Sequence, residues 1–88
     1  MKNYSNSYRM ILRWCLQMQE AIFGKYIKDL REASNLKQRE VTRQCGVSNS
    51  YLSQLENGQR GMPSPEILKK LAPVLKVSYE ELMVAAGY

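Results

Sequence analysis

The stretch LKQREVTRQCGVSNSYLSQLENG, residues 36–58, decides the fold of this chain. Val41 and Cys45 lie four residues apart, and Leu52 and Leu55 lie three apart, so each half carries one narrow apolar stripe at helical spacing. Neither half is long enough to be stable alone, so the halves must pack on each other and on other segments. The pattern predicts two short helices joined by a tight turn.

The residues between and after these helices have the properties that such a turn requires. Gly46 can adopt a positive φ and end the first helix, Val47 can fill the corner, and Ser48 is a good N-cap for the second helix. Asn57 and Gly58, which tolerate the left-handed conformation best, then end the second helix. The pair is therefore bounded on both sides.

This pattern resembles the lambda-repressor/Cro-like (XRE-type) helix-turn-helix family over about residues 27–82. The residues that carry the resemblance are Leu36, Gln38, Glu40 and Val41, then Gly46-Val47-Ser48, then Tyr51-Leu52-Ser53-Gln54-Leu55-Glu56-Asn57-Gly58. The resemblance implies an all-α fold, a five-helix lambda-repressor-like DNA-binding domain with an extra N-terminal helix. It places the helix-turn-helix at residues 37–57 and its second helix in the DNA major groove.

Three positions depart from the family pattern. Pro73 lies inside the predicted fourth helix, where it removes one backbone donor and should bend the helix or end it early. Lys37 stands where a Ser or Thr usually caps the helix, so we expect Glu40 to accept a backbone N–H without a reciprocal side-chain cap. Thr42 stands where the family mostly has a small Ala at the helix crossing. Its larger side chain affects the distance between the two helices where they cross, but it does not change the fold.

The polar face and first turn of the second helix are the predicted sites of DNA base contacts. Asn and Gln side chains can bind an adenine edge through two hydrogen bonds, and Ser can bind either base. Asn49 and Gln54 are therefore the best candidates, and the absence of Arg from this face argues against a bidentate guanine contact. The alternative is a solvated polar face. The full set is Ser48, Asn49, Ser50, Ser53 and Gln54.

Phosphate contacts are predicted around the helix pair. By resemblance, Gln38 donates to a phosphate, helped by the helix N-terminus; for Arg39 and Arg43 a solvated face is the alternative. Such contacts set orientation and salt dependence more than sequence preference. The full set is Lys37, Gln38, Arg39, Arg43, Tyr51, Asn57 and Arg60. The resemblance also pairs Arg31 with Glu56, an ion pair of little energetic value if it is exposed.

Residues 1–20 form a predicted N-terminal extension, helical from about residue 8, and residues 21–88 the DNA-binding domain. The extension is apolar nearly all round, which a lone surface helix cannot tolerate. It is either a dimerisation helix, extra packing on its own domain, or a leader translated from upstream of a true start at Met18. Ile11, Trp14 and Met18 are the candidate dimer or partner surface. The following segment has a predicted buried face of Ile22, Tyr26, Ile27, Leu30 and Ala33.

Composition excludes several classes of function. Eighty-eight residues make one small domain, and the net charge of +5 comes entirely from residues 1–62, since residues 63–88 hold three lysines and three glutamates. Charge alone allows a membrane surface, RNA or DNA as partner. Two distant cysteines without any histidine argue against a zinc site, and nothing resembles a catalytic motif or a cofactor site. Cys45 is predicted to be a small buried hydrophobe.

Two hypotheses of different class follow. The first is a cytoplasmic, sequence-specific transcription regulator, most often a repressor in this family, which binds an inverted-repeat operator as a homodimer with half-sites about one helical turn apart. The second is an antitoxin or phage-switch type module that binds a protein partner through its N-terminal helix. The chain is alternatively the DNA-binding end of a longer regulator. The sequence shows no secretion-signal pattern and no apolar run of about 18 residues, so no membrane partner is expected.

Overall fold

A computed structural model describes the backbone of residues 2–88 and the side chains of residues 18–88. The described backbone forms five α-helices and contains no strand: α1 (Lys2–Ala33), α2 (Gln38–Cys45), α3 (Asn49–Glu56), α4 (Pro65–Leu75) and α5 (Tyr79–Ala86). The predicted all-α, lambda-repressor-like class is confirmed. Among these residues no helix is both long and apolar enough to span a bilayer.

The N-terminal extension and the first helix of the domain form one continuous helix of 32 residues, α1. The sequence pattern presents them as separate segments, with helix from about residue 8, whereas α1 already begins at Lys2. Residues 17–23 contain no Pro, Gly or capping residue, so nothing interrupts the backbone hydrogen bonds there. The side chains of Ile11, Trp14 and Cys15 lie outside the described residues, and the division at residue 20 stays a prediction.

The buried face of α1 differs from the predicted one. Phe23 and Ile27 are 1% and 0% exposed, whereas Ile22 is 67% exposed. Phe23 precedes Ile27 by four residues and therefore shares its face, while Ile22 lies about 100° away around the helix. The prediction that Ile22 is buried was wrong, and Ala33 is exposed as well.

The core lies where the four domain helices meet the C-terminal part of α1. Helix α1 packs against α3, α2 packs against both α3 and α4, and α4 packs against α5. Helices α2 and α3 contribute at the apolar stripes that the spacing predicts. The buried apolar residues are Phe23, Ile27, Val41, Cys45, Leu52, Leu55, Leu68, Leu71, Ala72, Leu75, Leu82 and Ala86.

Local signals at the helix ends place α2 and α3 at a fixed angle. Gly46 ends α2 with a φ of +75° and donates its backbone N–H to the Thr42 carbonyl. Ser48 then caps α3, just as Ser64 and Ser78 cap α4 and α5, each accepting the backbone N–H three residues further on. The predicted turn is thus confirmed in its cap and its glycine.

Pro73 lies inside α4, which continues to Leu75. The other two departures from the family pattern are accommodated at α2. The Lys37 backbone N–H donates to Glu40 Oε1 at 3.1 Å, which is the predicted one-sided cap. The Thr42 hydroxyl donates to the Arg39 carbonyl at 3.0 Å, so the extra polar group is satisfied within its own helix. Cys45 is buried, as predicted, and its thiol donates to the Lys70 carbonyl.

Candidate nucleic-acid interface

The first turns of α3 present polar side chains to solvent. Asn49, Ser50 and Gln54 are exposed, and Ser53 is partly buried. Ser48 Oγ accepts the Tyr51 backbone N–H at 3.0 Å, so its hydroxyl proton stays available for a further acceptor. Ser48, Asn49 and Ser50 therefore lie at the N-terminal end of α3, and Ser53 and Gln54 lie one turn further along the helix.

A shallow groove of about 580 Å³ runs beside this face, between the start of α2 and the start of α3. Three predicted phosphate-contact cations, Lys37, Arg39 and Arg43, line it together with Asn49. Their side chains are exposed, and Glu40 is the one acidic residue among those that line the groove. The groove is therefore a positive concave surface that adjoins the polar face of α3. The full lining is Arg31, Lys37, Gln38, Arg39, Glu40, Arg43 and Asn49.

The remaining predicted phosphate contacts, Tyr51, Asn57 and Arg60, are absent from the groove lining and lie on α3 or just after it. The guanidinium of Arg60 lies over the Tyr51 ring, 4.9 Å from its centroid, a cation–π contact. Burial raises the pKa of the Tyr51 phenol, so this side chain stays protonated and can donate a hydrogen bond at neutral pH. The predicted phosphate contacts therefore form two groups, one that lines the groove and one on α3 and the loop after it.

Arg31 and Glu56, paired by the resemblance, form a bidentate ion pair between α1 and the end of α3. Arg31 Nε and Nη2 donate to the two Glu56 oxygens at 2.7 and 3.0 Å. The side chains are 11% and 2% exposed, so this is a buried pair and not the weak surface pair that was the alternative. Hydrogen bonding to Glu56 raises the pKa of Arg31 further above its ordinary value.

Glu56 also holds the start of α2. Gln38 Nε2 donates to Glu56 Oε1 at 2.9 Å, and Arg31 Nη1 donates to the Leu36 carbonyl at 2.8 Å. The Gln38 amide, predicted as a phosphate contact, therefore has one N–H already engaged and one left. Within the described side chains no buried nitrogen or oxygen lacks a hydrogen-bond partner. One carboxylate thus fixes α1, α2 and α3 relative to each other.

Two glycines complete this junction, and the sequence patterns did not single out their role. A Cβ atom at Gly24 of α1 would lie 2.9 Å from the Glu56 carbonyl oxygen and still closer to that of Leu55. A Cβ atom at Gly58 would lie 2.8 Å from Cα of Ala21. The available signal was Gly24 itself, because a glycine inside a helical pattern often has a packing reason. These residues let the end of α3 approach α1 at backbone contact.

The comparisons with known proteins agree with this geometry. A family model described as helix-turn-helix matches residues 27–82, more than half of the chain. The chain belongs to the lambda-repressor/Cro-like (XRE-type) helix-turn-helix family.

Relatives and solved structures support this assignment. The HTH-type transcriptional repressor RghR of Bacillus subtilis is 46% identical over 66 residues, 75% of this chain and 49% of that protein. An uncharacterized HTH-type transcriptional regulator of the same organism, RghRB, is 47% identical over 66 residues, 75% of this chain and 48% of that protein. The chain therefore spans about half the length of the curated relatives it matches.

Two crystal structures have a similar fold, and each match covers most of the chain in that structure. The restriction-modification controller protein C.AhdI from Aeromonas hydrophila has a TM-score of 0.65 at 34% identity, covering 70% of this chain and 92% of its own. The master regulator for biofilm formation SinR, crystallised in complex with DNA, has a TM-score of 0.64 at 34% identity, covering 69% and 97%.

Proposed function

We propose that this chain is a sequence-specific, double-stranded DNA-binding transcription regulator, and a repressor, that inserts α3 into the major groove. The observation that carries the proposal is the polar, exposed start of α3 beside a groove lined by Lys37, Arg39 and Arg43. A polar helix face can form hydrogen bonds with base edges, while the cations neutralise phosphates beside it. A relative named as a repressor and a similar structure in complex with DNA support the same function.

Base contacts are assigned to the exposed residues at the start of α3. Asn49 and Gln54 each carry an amide that can bind adenine through two hydrogen bonds. Ser48, Ser50 and Ser53 supply shorter polar groups on the same face. This assignment predicts preference for A·T pairs under the two amides.

Phosphate contacts are assigned to both flanks of α3. On one flank Lys37, Arg39 and Arg43 approach one strand, with Gln38 at the N-terminus of α2. On the other flank Asn57, Arg60 and Tyr51 approach the opposite strand. We expect these contacts to dominate the salt dependence of binding.

We further propose a cytoplasmic homodimer that binds an inverted repeat and carries no enzymatic activity. Helix-turn-helix dimers place their recognition helices about one DNA turn apart, so two copies suit two half-sites. The surface for the second copy is the outward face of α1, where Met18 and Ile22 are 55% and 67% exposed. Ile11 and Trp14 belong to this surface by sequence alone.

The direct test is selection of bound sequences from a random duplex pool at about 150 mM salt, close to physiological ionic strength. We expect enrichment of an inverted repeat with the wild-type chain. Gln54→Ala should relax the preference at defined positions. Gln44→Ala, which changes an exposed glutamine of α2 outside the groove lining, should leave the preference unchanged. Salt-sensitive binding without any enriched motif would contradict the proposal.

A second candidate function, a module that binds a protein partner, is favoured by one observation. Ile22 of α1 and Val84 of α5, which is 75% exposed, line an open cavity of about 250 Å³ beside Met62. Exposed apolar side chains gathered on one surface are typical of interaction sites. Sedimentation equilibrium separates the two cases. If the wild-type chain is a dimer, and Ile22→Gln dissociates it whereas Lys25→Gln does not, the surface binds a second copy. A monomer at all concentrations would favour a partner.

A further inference from the structure

The last residue of the chain reaches back to the loop that follows α3. The Tyr88 hydroxyl donates to the carbonyl of Pro63 at 2.8 Å, and Pro63 is itself buried. Gly87 ends α5 with a φ of +89°, and the Tyr88 backbone N–H donates to the Met83 carbonyl at 3.0 Å. Tyr88 is therefore held by its backbone N–H and by its hydroxyl, although 59% of the residue is exposed.

The loop that Tyr88 holds is short and bounded on both sides. It consists of residues 59–64, between the turn at residues 57–58 that follows α3 and the start of α4. At its start the Gln59 backbone N–H donates to the Gln54 carbonyl at 2.8 Å, and at its end Ser64 caps α4. Pro63, just before the cap, is the point that Tyr88 contacts.

Arg60 is the residue of this loop that can bind a phosphate. It is the single basic residue in the sequence between Arg43 and Lys69, whereas the groove beside the start of α3 is lined by Lys37, Arg39 and Arg43. Its guanidinium is exposed to solvent and rests on the Tyr51 ring. A cation held against a ring has fewer conformations to lose when it meets a phosphate.

We propose that Tyr88 is a positioning residue for DNA binding: by holding the Pro63 carbonyl it restricts the 59–64 loop and keeps Arg60 on Tyr51, aimed at the phosphate strand. This inference rests on the proposed function, since it needs Arg60 to contact DNA. Tyr88 itself contacts no base or phosphate in this account. The contribution is preorganisation, because the loop is ordered before DNA arrives.

The test is a double-mutant cycle with Tyr88→Phe and Arg60→Gln, measured by fluorescence anisotropy on the selected duplex over a salt series. Tyr88→Phe keeps the ring and removes the hydroxyl, and we expect about fivefold weaker binding, the effect of one hydrogen bond. Arg60→Gln should reduce the slope of log K against log salt by about 0.9, one phosphate contact. In the Arg60→Gln background, Tyr88→Phe should have no further effect.

The matched control is Tyr79→Phe, which removes a hydroxyl from another tyrosine, at the start of α5. There Lys69, and not Arg60, lies over the ring. It should leave binding unchanged. A Tyr88→Phe loss that persists in the Arg60→Gln background, or that Tyr79→Phe matches, would overturn the positioning role. So would an Arg60→Gln variant with the wild-type affinity and salt slope. If the wild-type chain enriches no duplex, the proposed function itself fails. That result differs from each of the outcomes that would overturn only the positioning role.

Discussion

The two ends of α3 differ in how they are held. At the C-terminal end, Glu56 is 6% exposed, forms an ion pair with Arg31 and lies against the backbone of Gly24. At the N-terminal end, Asn49 and Ser50 are exposed. Helix α3 is therefore anchored at its C-terminal end, and this anchor gives its exposed N-terminal end a defined orientation toward a ligand.

The anchor is also where the molecule is most sensitive to substitution. A buried ion pair contributes little net stability compared with an apolar pair, but removing one partner leaves a buried charge. The exposed end has the opposite property, because surface substitutions there rarely change stability. Stability and binding should therefore separate along a single helix of eight residues.

The largest expected effect is at Glu56. Glu56→Ala leaves Arg31 without its carboxylate and removes the acceptor of Gln38, so we expect a loss of about 3 kcal/mol in the free energy of unfolding. Urea denaturation followed by circular dichroism measures this loss. Asp29→Ala is the control, because it breaks the exposed Lys25–Asp29 pair and should cost about 0.5 kcal/mol or less. Equal losses in the two variants would contradict an anchored end.

Gly24 should show the next largest effect. Gly24→Ala places a methyl group against the carbonyl oxygens at the end of α3, which must move away, and overpacking of this kind costs about 2 kcal/mol. The same denaturation experiment applies, with Gly61→Ala as control, since among residues 18–88 a Cβ atom there meets only Glu20 Oε2, at 3.6 Å. A Gly24→Ala variant as stable as the wild type would show that the helix crossing is loose.

At the exposed end, Asn49→Ala should change recognition and leave stability unaltered. We expect a loss of about 1–2 kcal/mol in discrimination between the selected duplex and one mutated at a single base pair, because one amide contact is lost. Anisotropy titrations of both duplexes measure it. If affinity for both duplexes falls equally, Asn49 contacts the backbone instead of a base.

The smallest expected effect is at Arg43 in the groove. Arg43→Gln should weaken binding to all duplexes alike and lower the slope of log K against log salt by about 0.9. Lys28→Gln, on the exposed face of α1, removes the same charge and should leave the slope unchanged. A solvated Arg43, the alternative noted from the sequence, would give the same slope as the wild type.

Much of this arrangement could be predicted from the sequence because it depends on local signals. The cap at Ser48, the positive φ of Gly46 and the apolar spacing of α2 and α3 each involve residues close in the chain. The same holds for the one-sided cap between Lys37 and Glu40. Local chemistry therefore sufficed for the helix-turn-helix pair and its polar face.

The contacts of α1 required more than local signals. The buried face contains Phe23 and not Ile22 because the close approach at Gly24 sets the rotation of α1 against α3. The spacing of four residues between Phe23 and Ile27 could have shown that they share a face, whereas the burial at its edge, where Ile22 lies, depends on packing. Gln38 likewise meets Glu56 across 18 positions, and Tyr88 meets Pro63 across 25. Such pairs depend on tertiary packing, which no single window of sequence contains.

The most direct test of the central claim, that the exposed end of α3 meets DNA while the other end stays fixed, is an NMR titration. The ¹⁵N-labelled chain is titrated with the selected duplex. We predict the largest shifts at residues 49–54 and 37–43, and none at Val84 and Ala85 on α5. Largest shifts on α5 and at Ile22, with residues 49–54 unchanged, would contradict it.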